Sequence, residues 1–334
     1  MGRQMIGIGV IGCGLIGTKR VAALGEFGQL VACTDLDICR AQRLAAEQTL
    51  VVSNWQELLA LQAVEAVVIA TQHDSLVEIT KAAIAAGKHV FVEKPAARSP
   101  QELLLVLELS GRASTIVRVG FNHRYHRALQ KAKQLVQQGA LGELMFLRGR
   151  YGHGGRVGYE QEWRADVTKS GGGELIDQGP HLIDLSRWIF EEEFTEIQGH
   201  AQTYFWEMSV DDNAFLTLRT PTGKTAFLHV SCSEWKNLFS LEIYGKLGKL
   251  EISGLGGSYG IEKLTWYKML PEMGPPETRS WEFPMADNSW SLEMQDFFED
   301  IQQQRSPSAS LSDAYEALKI IHQIYQNSNC DYCA

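Results

Sequence analysis

The sequence predicts an α/β protein of two domains, a doubly wound parallel sheet followed by an α+β domain with a large, open, mostly antiparallel sheet. Short apolar strand patterns alternate with helical patterns up to about residue 120, as in doubly wound sheets. Longer strand-like runs then follow one another with few helices between them. We therefore expect domains over residues 1–121 and 122–334, and leave open whether the C-terminal helices pack back on the first domain.

In the first domain, the strand patterns are short, rich in Val and Ile, and lack regular polar alternation. Strands of this kind are covered on both faces, as in a parallel sheet. They span residues 6–11, 30–34, 66–70, 89–92 and 115–120. Helical patterns separate them at residues 15–24, 38–48, 76–86 and 100–110. The last helix begins with a capping box, Ser99-Pro-Gln-Glu102, in which proline occupies the first helical position.

After a helical pattern at residues 129–138, strand patterns dominate the second domain. They span residues 144–151, 197–205, 214–220, 225–232, 239–245, 249–252 and 263–269. Turn sequences such as Pro221-Thr-Gly223 and Lys246-Leu-Gly248 predict antiparallel hairpins. The remaining segments are a helix at 180–190, a proline-rich loop at 271–284, and final helices at 292–303 and 313–327. Imperfect polar alternation predicts a sheet with both faces partly covered, one by a second subunit.

Overall composition and charge limit the possible partners. The net charge of −9 and the isoelectric point near 5.5 argue against nucleic acid, since phosphate binding needs a basic surface. No apolar run approaches the roughly 18 residues that a membrane-spanning helix needs, and the N-terminus lacks the apolar stretch of a signal peptide. We expect a cytoplasmic protein with no nucleic-acid or membrane partner, and we assign no metal-binding residues.

The cysteines fit reduced thiols better than a disulfide framework, because their spacing is irregular. They are Cys13, Cys33, Cys39, Cys232, Cys330 and Cys333. Cys330 and Cys333 have CxxC spacing, but no second pair lies nearby and the chain ends at Ala334. We expect this segment to be a frayed tail.

A glycine-rich sequence, Gly12-Cys13-Gly14-Leu15-Ile16-Gly17, follows the first strand and opens the first helix. This is the context of a dinucleotide-binding fingerprint. The first glycine permits a tight turn, the second lets backbone approach a pyrophosphate, and the third lets helix and strand pack closely. The helix N-terminus adds unpaired N–H groups that favour phosphate oxygens.

An aspartate at the end of the second strand indicates which dinucleotide is bound. Asp35 lies 18 residues after Gly17, at about the distance where an acidic side chain binds the adenosine ribose. Because a carboxylate there would repel a 2′-phosphate, we expect NAD(H) in preference to NADP(H). Asp37 is a competing candidate, although it is better explained as the N-cap of the next helix.

A lysine follows the fourth strand in the sequence Lys88-His-Val-Phe-Val-Glu93-Lys94-Pro95. The carboxyl ends of strands in open α/β sheets are where ligands bind. Pro95 fixes its own φ and restricts Lys94 to extended geometry, so the ammonium is presented from a defined backbone. We interpret Lys94 as a candidate catalytic cation.

A second polar cluster lies in Gly171-Gly-Gly-Glu-Leu-Ile-Asp177-Gln-Gly-Pro-His181. Pro180 suits the first turn of the predicted helix, so the spacing can place the Asp177 carboxylate and the His181 imidazole on one side of a loop-to-helix junction. Histidine is the usual side chain for moving a proton near neutral pH, and a nearby aspartate can orient it. The flanking glycines allow a ligand to approach closely.

These motifs together resemble the glucose-fructose oxidoreductase, inositol dehydrogenase and MocA (Gfo/Idh/MocA) family. The resemblance rests on the glycine fingerprint, Glu93-Lys94-Pro95, Gly120-Phe-Asn-His-Arg124-Tyr and Gly173-Glu-Leu-Ile-Asp177-Gln-Gly-Pro-His181, which occur in the family's order and spacing over nearly the whole chain. It implies a Rossmann domain followed by an α+β domain whose open sheet assembles homodimers or homotetramers. It also allows a cis peptide bond before Pro95.

The resemblance also implies roles for individual residues. Lys94, Asp177 and His181 match the catalytic trio. The implied cofactor contacts are Gly12, Cys13, Gly14, Leu15, Ile16, Gly17, Asp35, Thr71, Glu93 and Lys94. The implied substrate contacts are Asn122, Arg124, Trp163, Arg164, Asp177 and His181, and loops at 151–162 and 235–237 are further candidates. The chain departs from the family at Thr71-Gln-His73-Asp, where many relatives have proline after the threonine, and we assign His73 no catalytic role.

The implied reaction is reversible oxidation of a secondary alcohol on a sugar, a cyclitol or a nucleotide sugar. A hydride passes from the substrate carbon to the nicotinamide, His181 takes the hydroxyl proton, Lys94 stabilises the developing alkoxide, and Asp177 holds the histidine or the substrate. Two alternatives stay open. Some proteins of this fold use bound NAD to cleave glycosidic bonds by transient oxidation, and others are non-catalytic, cofactor-binding regulators.

Overall fold

The structure, a computed structural model, describes residues 5–272 and 274–328. By its internal packing the chain divides into two units, Met1–Phe121 with Trp290–Tyr315, and Asn122–Ser289 with Glu316–Ala334. Cys330 and Cys333 lie outside the described residues, so the predicted tail stays a prediction. The four cysteines that are described are free, and all but Cys39 are buried.

The sheet of the first unit is entirely parallel. Its strands are β1 (Ile6–Ile11), β2 (Gly28–Thr34), β3 (Leu50–Val51), β4 (Ala66–Ile69), β5 (His89–Glu93) and β6 (Val117–Gly120). They pair in the order β3-β2-β1-β4-β5-β6, so the chain reverses its direction of travel across the sheet after β3. Strands β1 and β4 are fully buried, as apolar strands without alternation require. The predicted doubly wound sheet is confirmed.

Helices connect these strands. They are α1 (Leu15–Ala22), α2 (Ile38–Leu44), α3 (Trp55–Ala60), α4 (His73–Ala85) and α5 (Pro100–Ser110). Helix α5 has the predicted bounds and cap, with the Ser99 side chain accepting the N–H of Glu102 at 3.2 Å. Helix α3 and strand β3 were not predicted. The sequence does contain a start signal for α3, because Asn54 Oδ1 accepts the N–H of Glu57 at 2.8 Å.

The sheet of the second unit is mostly antiparallel, as predicted. Its strands are β7 (Leu144–Gly152), β8 (Glu196–Gln202), β9 (Asn213–Arg219), β10 (Thr225–Ser231), β11 (Leu238–Gly245), β12 (Gly248–Ser253), β13 (Glu262–Lys268) and β14 (Glu277–Phe283). Their order is β14-β13-β12-β11-β7-β10-β9-β8, and β7 with β10 is the parallel pair. The predicted hairpins β9–β10 and β11–β12 are confirmed. The loop predicted at 271–284 is wrong in its second half, which forms the edge strand β14.

The helices of this unit are α6 (Arg127–Gln137), α7 (Val167–Ser170) and α8 (Glu174–Phe190). The predicted start of α8 at Pro180 is wrong, because the helix begins at Glu174 and contains Pro180 in its interior. Asp211 explains the earlier start, since its carboxylate accepts the N–H of Gly173 at 2.9 Å and of Leu175 at 2.7 Å. Helix α8 covers one face of the sheet, as the closeness of Gly149 to Leu182 shows.

Two helices follow the second sheet, α9 (Ser289–Gln303) and α10 (Leu311–Asn327). Phe297 and Phe298 of α9 enter the hydrophobic core of the first unit, and the Phe297 ring meets Phe91 of β5 edge-on at 5.5 Å. Glu293 of α9 also accepts a hydrogen bond from Arg20 of α1 at 2.6 Å. No helix within residues 5–272 and 274–328 is both long and apolar enough to cross a membrane.

Candidate functional site

Four of the predicted cofactor positions follow neighbouring strands of the parallel sheet. Gly12 follows β1, Asp35 follows β2, Thr71 follows β4 and Lys94 follows β5. Since all these strands run in one direction, the four positions lie along one edge of the sheet, in the spatial order Asp35, Gly12, Thr71, Lys94. This is the edge where open α/β sheets bind their ligands.

The glycine loop between β1 and α1 has the geometry that close packing requires. Gly12 has a φ of +92°, and a Cβ there would lie 2.4 Å from the carbonyl oxygen of Ala70. A Cβ on Gly17 would lie 2.0 Å from the carbonyl oxygen of Gly12. Gly14 differs, because a Cβ there meets nothing within 4 Å. The loop is therefore packed on the protein side and open at Gly14, which fits the approach of a dinucleotide pyrophosphate.

Asp35 joins the glycine loop to the end of β2. Its Oδ2 accepts the N–H of Cys13 at 2.7 Å, and its Oδ1 accepts the N–H of Asp37 at 2.8 Å. The carboxylate is thus held rigidly beside the loop, and ribose hydroxyls can donate to its remaining lone pairs. Asp37 caps α2 as predicted, its side chain accepting the N–H of Cys39 at 3.0 Å.

Lys94 is half-buried directly after β5, and the Lys94–Pro95 peptide bond is cis. The preceding residue, Glu93, is buried, and its Oε1 accepts a hydrogen bond from Arg20 at 2.6 Å. Arg20 is fully buried between the rings of Phe91 and Trp290, with its guanidinium carbon 4.2 Å and 4.4 Å from their centroids. Glu93 was predicted to contact the cofactor, and in the structure its carboxylate is hydrogen-bonded to Arg20.

In the second unit, α8 carries the two predicted acid–base residues one helical turn apart. Asp177 and His181 are both buried, at positions i and i+4 of one helix face. Arg164 Nε donates to Asp177 Oδ2 at 3.1 Å, and the Arg164 guanidinium lies over the ring of Trp163 at 4.6 Å. The structure therefore brings together four of the six predicted substrate residues.

The other two predicted substrate residues lie in the short 3₁₀ turn Asn122–Tyr125. Arg124 is buried, and its Nε donates to Asp184 Oδ2 at 2.8 Å while Nη2 donates to Oδ1 of the same carboxylate. Asn122 Nδ2 donates to Ser289 Oγ at 3.3 Å. Between them His123, which was not predicted, stacks on the His181 ring with centroids 3.7 Å apart. This turn fixes the plane of the His181 imidazole.

Two further residues beside Asp177 were not predicted individually as site residues, although one of them, His153, lies in the candidate loop at 151–162. Glu174, in the first turn of α8, is fully buried, and burial raises the pKa of its carboxyl. His153 at the end of β7 has its Nε2 3.5 Å from Glu174 Oε2, while its Nδ1 accepts the N–H of Gly155 at 3.0 Å. In the neutral ring the proton therefore lies on Nε2, facing the carboxylate. Glu174 lies within the motif from Gly173 to His181, but nothing in the sequence links it to His153.

Comparison with family models accounts for most of the chain. A model described as an oxidoreductase family with an NAD-binding Rossmann fold, GFO/IDH/MocA, matches residues 6–121. A model of the GFO/IDH/MocA C-terminal domain matches residues 129–251. The two matches fall on the first unit and on the site-bearing part of the second.

Curated relatives match parts of the chain. An inositol 2-dehydrogenase of Gluconacetobacter diazotrophicus is 30% identical, over 58% of this chain and 57% of its own length. A levoglucosan dehydrogenase of Pseudarthrobacter phenanthrenivorans is 29% identical, over 51% of this chain and 44% of its own length. The chain thus spans about half the length of these relatives.

Solved structures match the fold over 98% of this chain. A levoglucosan dehydrogenase in complex with NADH and levoglucosan superposes with a TM-score of 0.87 over 98% of both chains at 22% identity. An oxidoreductase domain protein from Kribbella flavida superposes with a TM-score of 0.88 at 23% identity, over 97% of its chain. At this level of identity the likeness describes the fold.

Proposed function

The chain belongs to the Gfo/Idh/MocA oxidoreductase family, and from that premise we propose that it is an NAD-dependent dehydrogenase acting on a secondary alcohol of a sugar, cyclitol or nucleotide sugar. One observation carries the proposal. Asp177 and His181 lie one turn apart on buried α8, with the imidazole stacked on His123 and the carboxylate held by Arg164. Inositol and levoglucosan, after which these relatives are named, are polyhydroxylated rings of the proposed class.

Each proposed catalytic side chain has one task in this reaction. His181 removes the proton from the substrate hydroxyl, because an imidazole can accept a proton near neutral pH. Lys94 presents an ammonium that stabilises the negative charge developing on that oxygen. Asp177, oriented by Arg164, holds a neighbouring hydroxyl or the imidazolium that forms at His181. Asn122, Arg124, Trp163 and Arg164 shape the substrate side of the second unit.

The family's Rossmann model is NAD-binding, and the residues of the first unit fit that cofactor. The open backbone at Gly14 would hold the pyrophosphate, with Cys13, Leu15 and Ile16 beside it, and Asp35 would hold the adenosine ribose. When bound, the nicotinamide supplies the hydride acceptor. Thr71, Glu93 and Lys94 complete the proposed contacts at the same sheet edge.

The Lys94→Ala variant tests the mechanism. We expect kcat to fall by about 100-fold or more, because a preorganised cation acts mainly on the transition state. The affinity for NADH, measured by fluorescence titration, should change far less. Lys81→Ala, an exposed lysine of α4, is the control. A Lys94→Ala enzyme with near-normal turnover on its substrate would refute the assigned role.

A substrate screen separates the proposal from its alternatives. Sugars, inositols and nucleotide sugars are incubated with the protein and NAD, and NADH formation is followed at its absorbance maximum. A dehydrogenase gives net NADH with one of these classes. A glycosidase that acts by transient oxidation releases a sugar without net NADH, and a non-catalytic regulator does neither.

We also propose that copies of the chain associate through the open face of the second sheet. Phe146, Phe215 and Phe227 lie on the face opposite α8, on the neighbouring strands β7, β9 and β10, and are exposed in the single chain. Phe215 stacks on His229 with centroids 4.3 Å apart and ring planes 6° apart. Exposed aromatic residues grouped on one sheet face are typical of subunit contacts.

A cytoplasmic location is part of the proposal. The free thiols of Cys13, Cys33, Cys39 and Cys232 support it, since thiols persist in a reducing compartment. Fractionation of cells that express a tagged protein tests it, and recovery with the cytoplasmic marker is the expected result.

A further inference from the structure

A continuous series of aromatic rings leads from the neighbourhood of Asp177 to the surface of the second unit. His153 contacts Tyr159 at 5.6 Å between centroids, and Tyr159 contacts Trp206 at 5.5 Å. Trp206 contacts Phe205 at 5.1 Å, and Phe205 contacts Trp235 edge-on at 4.7 Å. We call these five residues the aromatic path. Its inner end, His153, faces Glu174 one turn before Asp177, and its outer end is in solvent.

The outer end exposes side chains that proteins normally cover. Trp235 is 70% exposed and Phe205 is 50% exposed. Trp235 also has a φ of +60°, which is a strained conformation for a bulky residue. Such strain persists only where the surroundings enforce it, and it occurs most often at binding and catalytic sites. The combination of exposure and strain indicates that Trp235 is placed to contact a ligand.

The backbone beneath the aromatic path is rigid. Asp212 accepts the N–H groups of Tyr204 at 2.8 Å, Phe205 at 2.7 Å and Trp206 at 3.0 Å. Trp206 Nε1 also donates to the carbonyl oxygen of Cys232 at 2.8 Å. Three amide donors on one carboxylate hold the loop in a single conformation, so its rings form a preformed surface.

Glycines allow the loop after β7 to pack on both tryptophans. A Cβ on Gly155 would lie 2.3 Å from the Trp206 ring, and a Cβ on Gly154 would lie 2.9 Å from the Trp235 backbone. The same loop is joined to Asp177 by a series of ion pairs, Arg156 to Glu162 at 2.6 Å, Glu162 to Arg164 at 3.8 Å, and Arg164 to Asp177 at 3.1 Å. The loop after β7 therefore contacts both the aromatic path and the residues that hold Asp177.

The charges near the aromatic path are of both signs. Glu207 and Glu234 are accompanied by Lys236, which follows Trp235, and Arg156 is paired with Glu162. The carboxylates of Asp211 and Asp212 are buried and accept backbone N–H groups, so they do not face a ligand. A sugar ring can place its C–H face on the exposed rings of Phe205 and Trp235, because this contact needs no charged partner.

We propose that Phe205 and Trp235 form a stacking subsite for a second sugar ring, so that the substrate is a glycoside of at least two rings. This inference rests on the proposed function, because it places the reacting ring beside Asp177 and His181. It narrows the substrate from three classes to one. The ring that reacts would lie at the inner end of the aromatic path and the stacked ring at the outer end.

Calorimetric titration of the NAD-loaded protein tests the subsite without requiring turnover. The probes are glucose, cellobiose, maltose and UDP-glucose. We expect at least one disaccharide to bind about tenfold more tightly than glucose, and Trp235→Ala and Phe205→Ala to reduce that ratio to near one. Trp281→Ala on β14, outside the aromatic path, is the matched control and should keep the ratio.

Several results would overturn the subsite. They are failure of both disaccharides to bind, equal affinity for one and two rings, tighter binding of UDP-glucose than of either disaccharide, or an unchanged ratio in Trp235→Ala. If light scattering showed that Trp235→Ala changes the molar mass, the surface would be a contact between copies of the chain and not a sugar subsite. Disaccharide binding with no NADH formation from any sugar would contradict the dehydrogenase proposal and leave the subsite standing.

Discussion

At the scale of single residues, glycines separate what the fold needs from what the cofactor needs. Gly17 is required by the protein itself, since a Cβ there would lie 2.0 Å from the carbonyl oxygen of Gly12. At Gly14 a Cβ would meet no protein atom within 4 Å, so packing does not require glycine there. The two positions belong to one fingerprint in the sequence, and only the structure assigns them different tasks.

The variants Gly14→Ala and Gly17→Ala form a matched pair. Gly17→Ala should lower the free energy of unfolding by about 1–3 kcal/mol through overpacking, as measured by urea denaturation. Gly14→Ala should leave stability nearly unchanged and weaken NADH binding about tenfold or more, because its methyl group occupies the open side of the loop. Equal loss of stability in both variants would contradict this division.

His153 provides a pH-dependent prediction. Burial lowers the pKa of this imidazole, but the hydrogen bond and charge of Glu174 outweigh burial and raise the net pKa. Because the folded pKa is raised, this contribution to stability is present below about pH 6.5 and is lost as pH rises through the folded value. Glu174→Gln should therefore lower the pKa of His153, as followed by NMR titration of the ring protons.

The control for this titration is Glu234→Gln, which removes a carboxylate 3.7 Å from a different imidazole, that of His229. It should leave the pKa of His153 where it is. In either protein the second proton on His153 would occupy Nδ1, so acidification should weaken the bond from Gly155 N–H. A His153 pKa that does not respond to Glu174→Gln would show that Glu174 is not the cause of the raised pKa.

At the scale of secondary-structure elements, the sequence predicts best where the local pattern and the packing agree. Helix α5 is an example, since its cap, its first-turn proline and its bounds all follow from Ser99 to Ser110. Helix α8 is the opposite case. Pro180 reads as a helix start, but the actual start depends on Asp211, a carboxylate from a distant segment. Strand β14 was hidden by the prolines on either side of it.

The candidate site follows the same rule. Gly12 to Gly17, Asp35 and Lys94 were recognisable because each directly follows a strand in a fixed pattern. His153 and Glu174 were not, because their contact exists only once the end of β7 lies beside the start of α8. The pairing of Arg124 with Asp184 is likewise a tertiary contact that no spacing in the sequence specifies.

Helix α9 supplies carboxylates to the main buried ion pairs of the first unit. Removing one of these carboxylates tests how much such a pair contributes to stability. Glu293 is fully buried against Arg20, so Glu293→Ala leaves a buried cation with one partner fewer. We expect a loss of about 3–5 kcal/mol in the free energy of unfolding by urea denaturation. Glu299→Ala, on the same helix but paired with the partly exposed Arg305, should cost under about 1 kcal/mol. Equal costs would mean that burial at Glu293 is unimportant.

At the scale of the whole molecule, α8 covers one face of the second sheet, and among residues 5–272 and 274–328 the other face keeps aromatic side chains exposed. The open face combines Phe146, Phe215 and Phe227 with the cations Arg148 and Arg150, on neighbouring strands. An aromatic surface of this kind is costly to leave in water. We therefore expect the isolated 37.3 kDa chain to be rarer in solution than its oligomer.

Phe227→Glu tests this surface. A carboxylate at the centre of the open face should dissociate the oligomer toward the 37.3 kDa mass in light scattering, because pairing the face would bury its charge. Leu105→Glu is the matched control, since Leu105 of α5 has a similar exposure, 52% against 50%. A wild-type protein that already has the mass of one chain would contradict the proposed assembly.

The contribution of residues 290–315 to the first unit has a consequence for synthesis on the ribosome. Arg20 and Arg118 are buried, and their carboxylate partners Glu293, Asp296 and Asp300 emerge only after the whole second sheet has been made. At ordinary elongation rates the nascent nucleotide-binding half waits on the order of ten seconds or more for them. During that time two arginines lack their carboxylates from α9, so we expect the nascent half to recruit chaperones until α9 arrives.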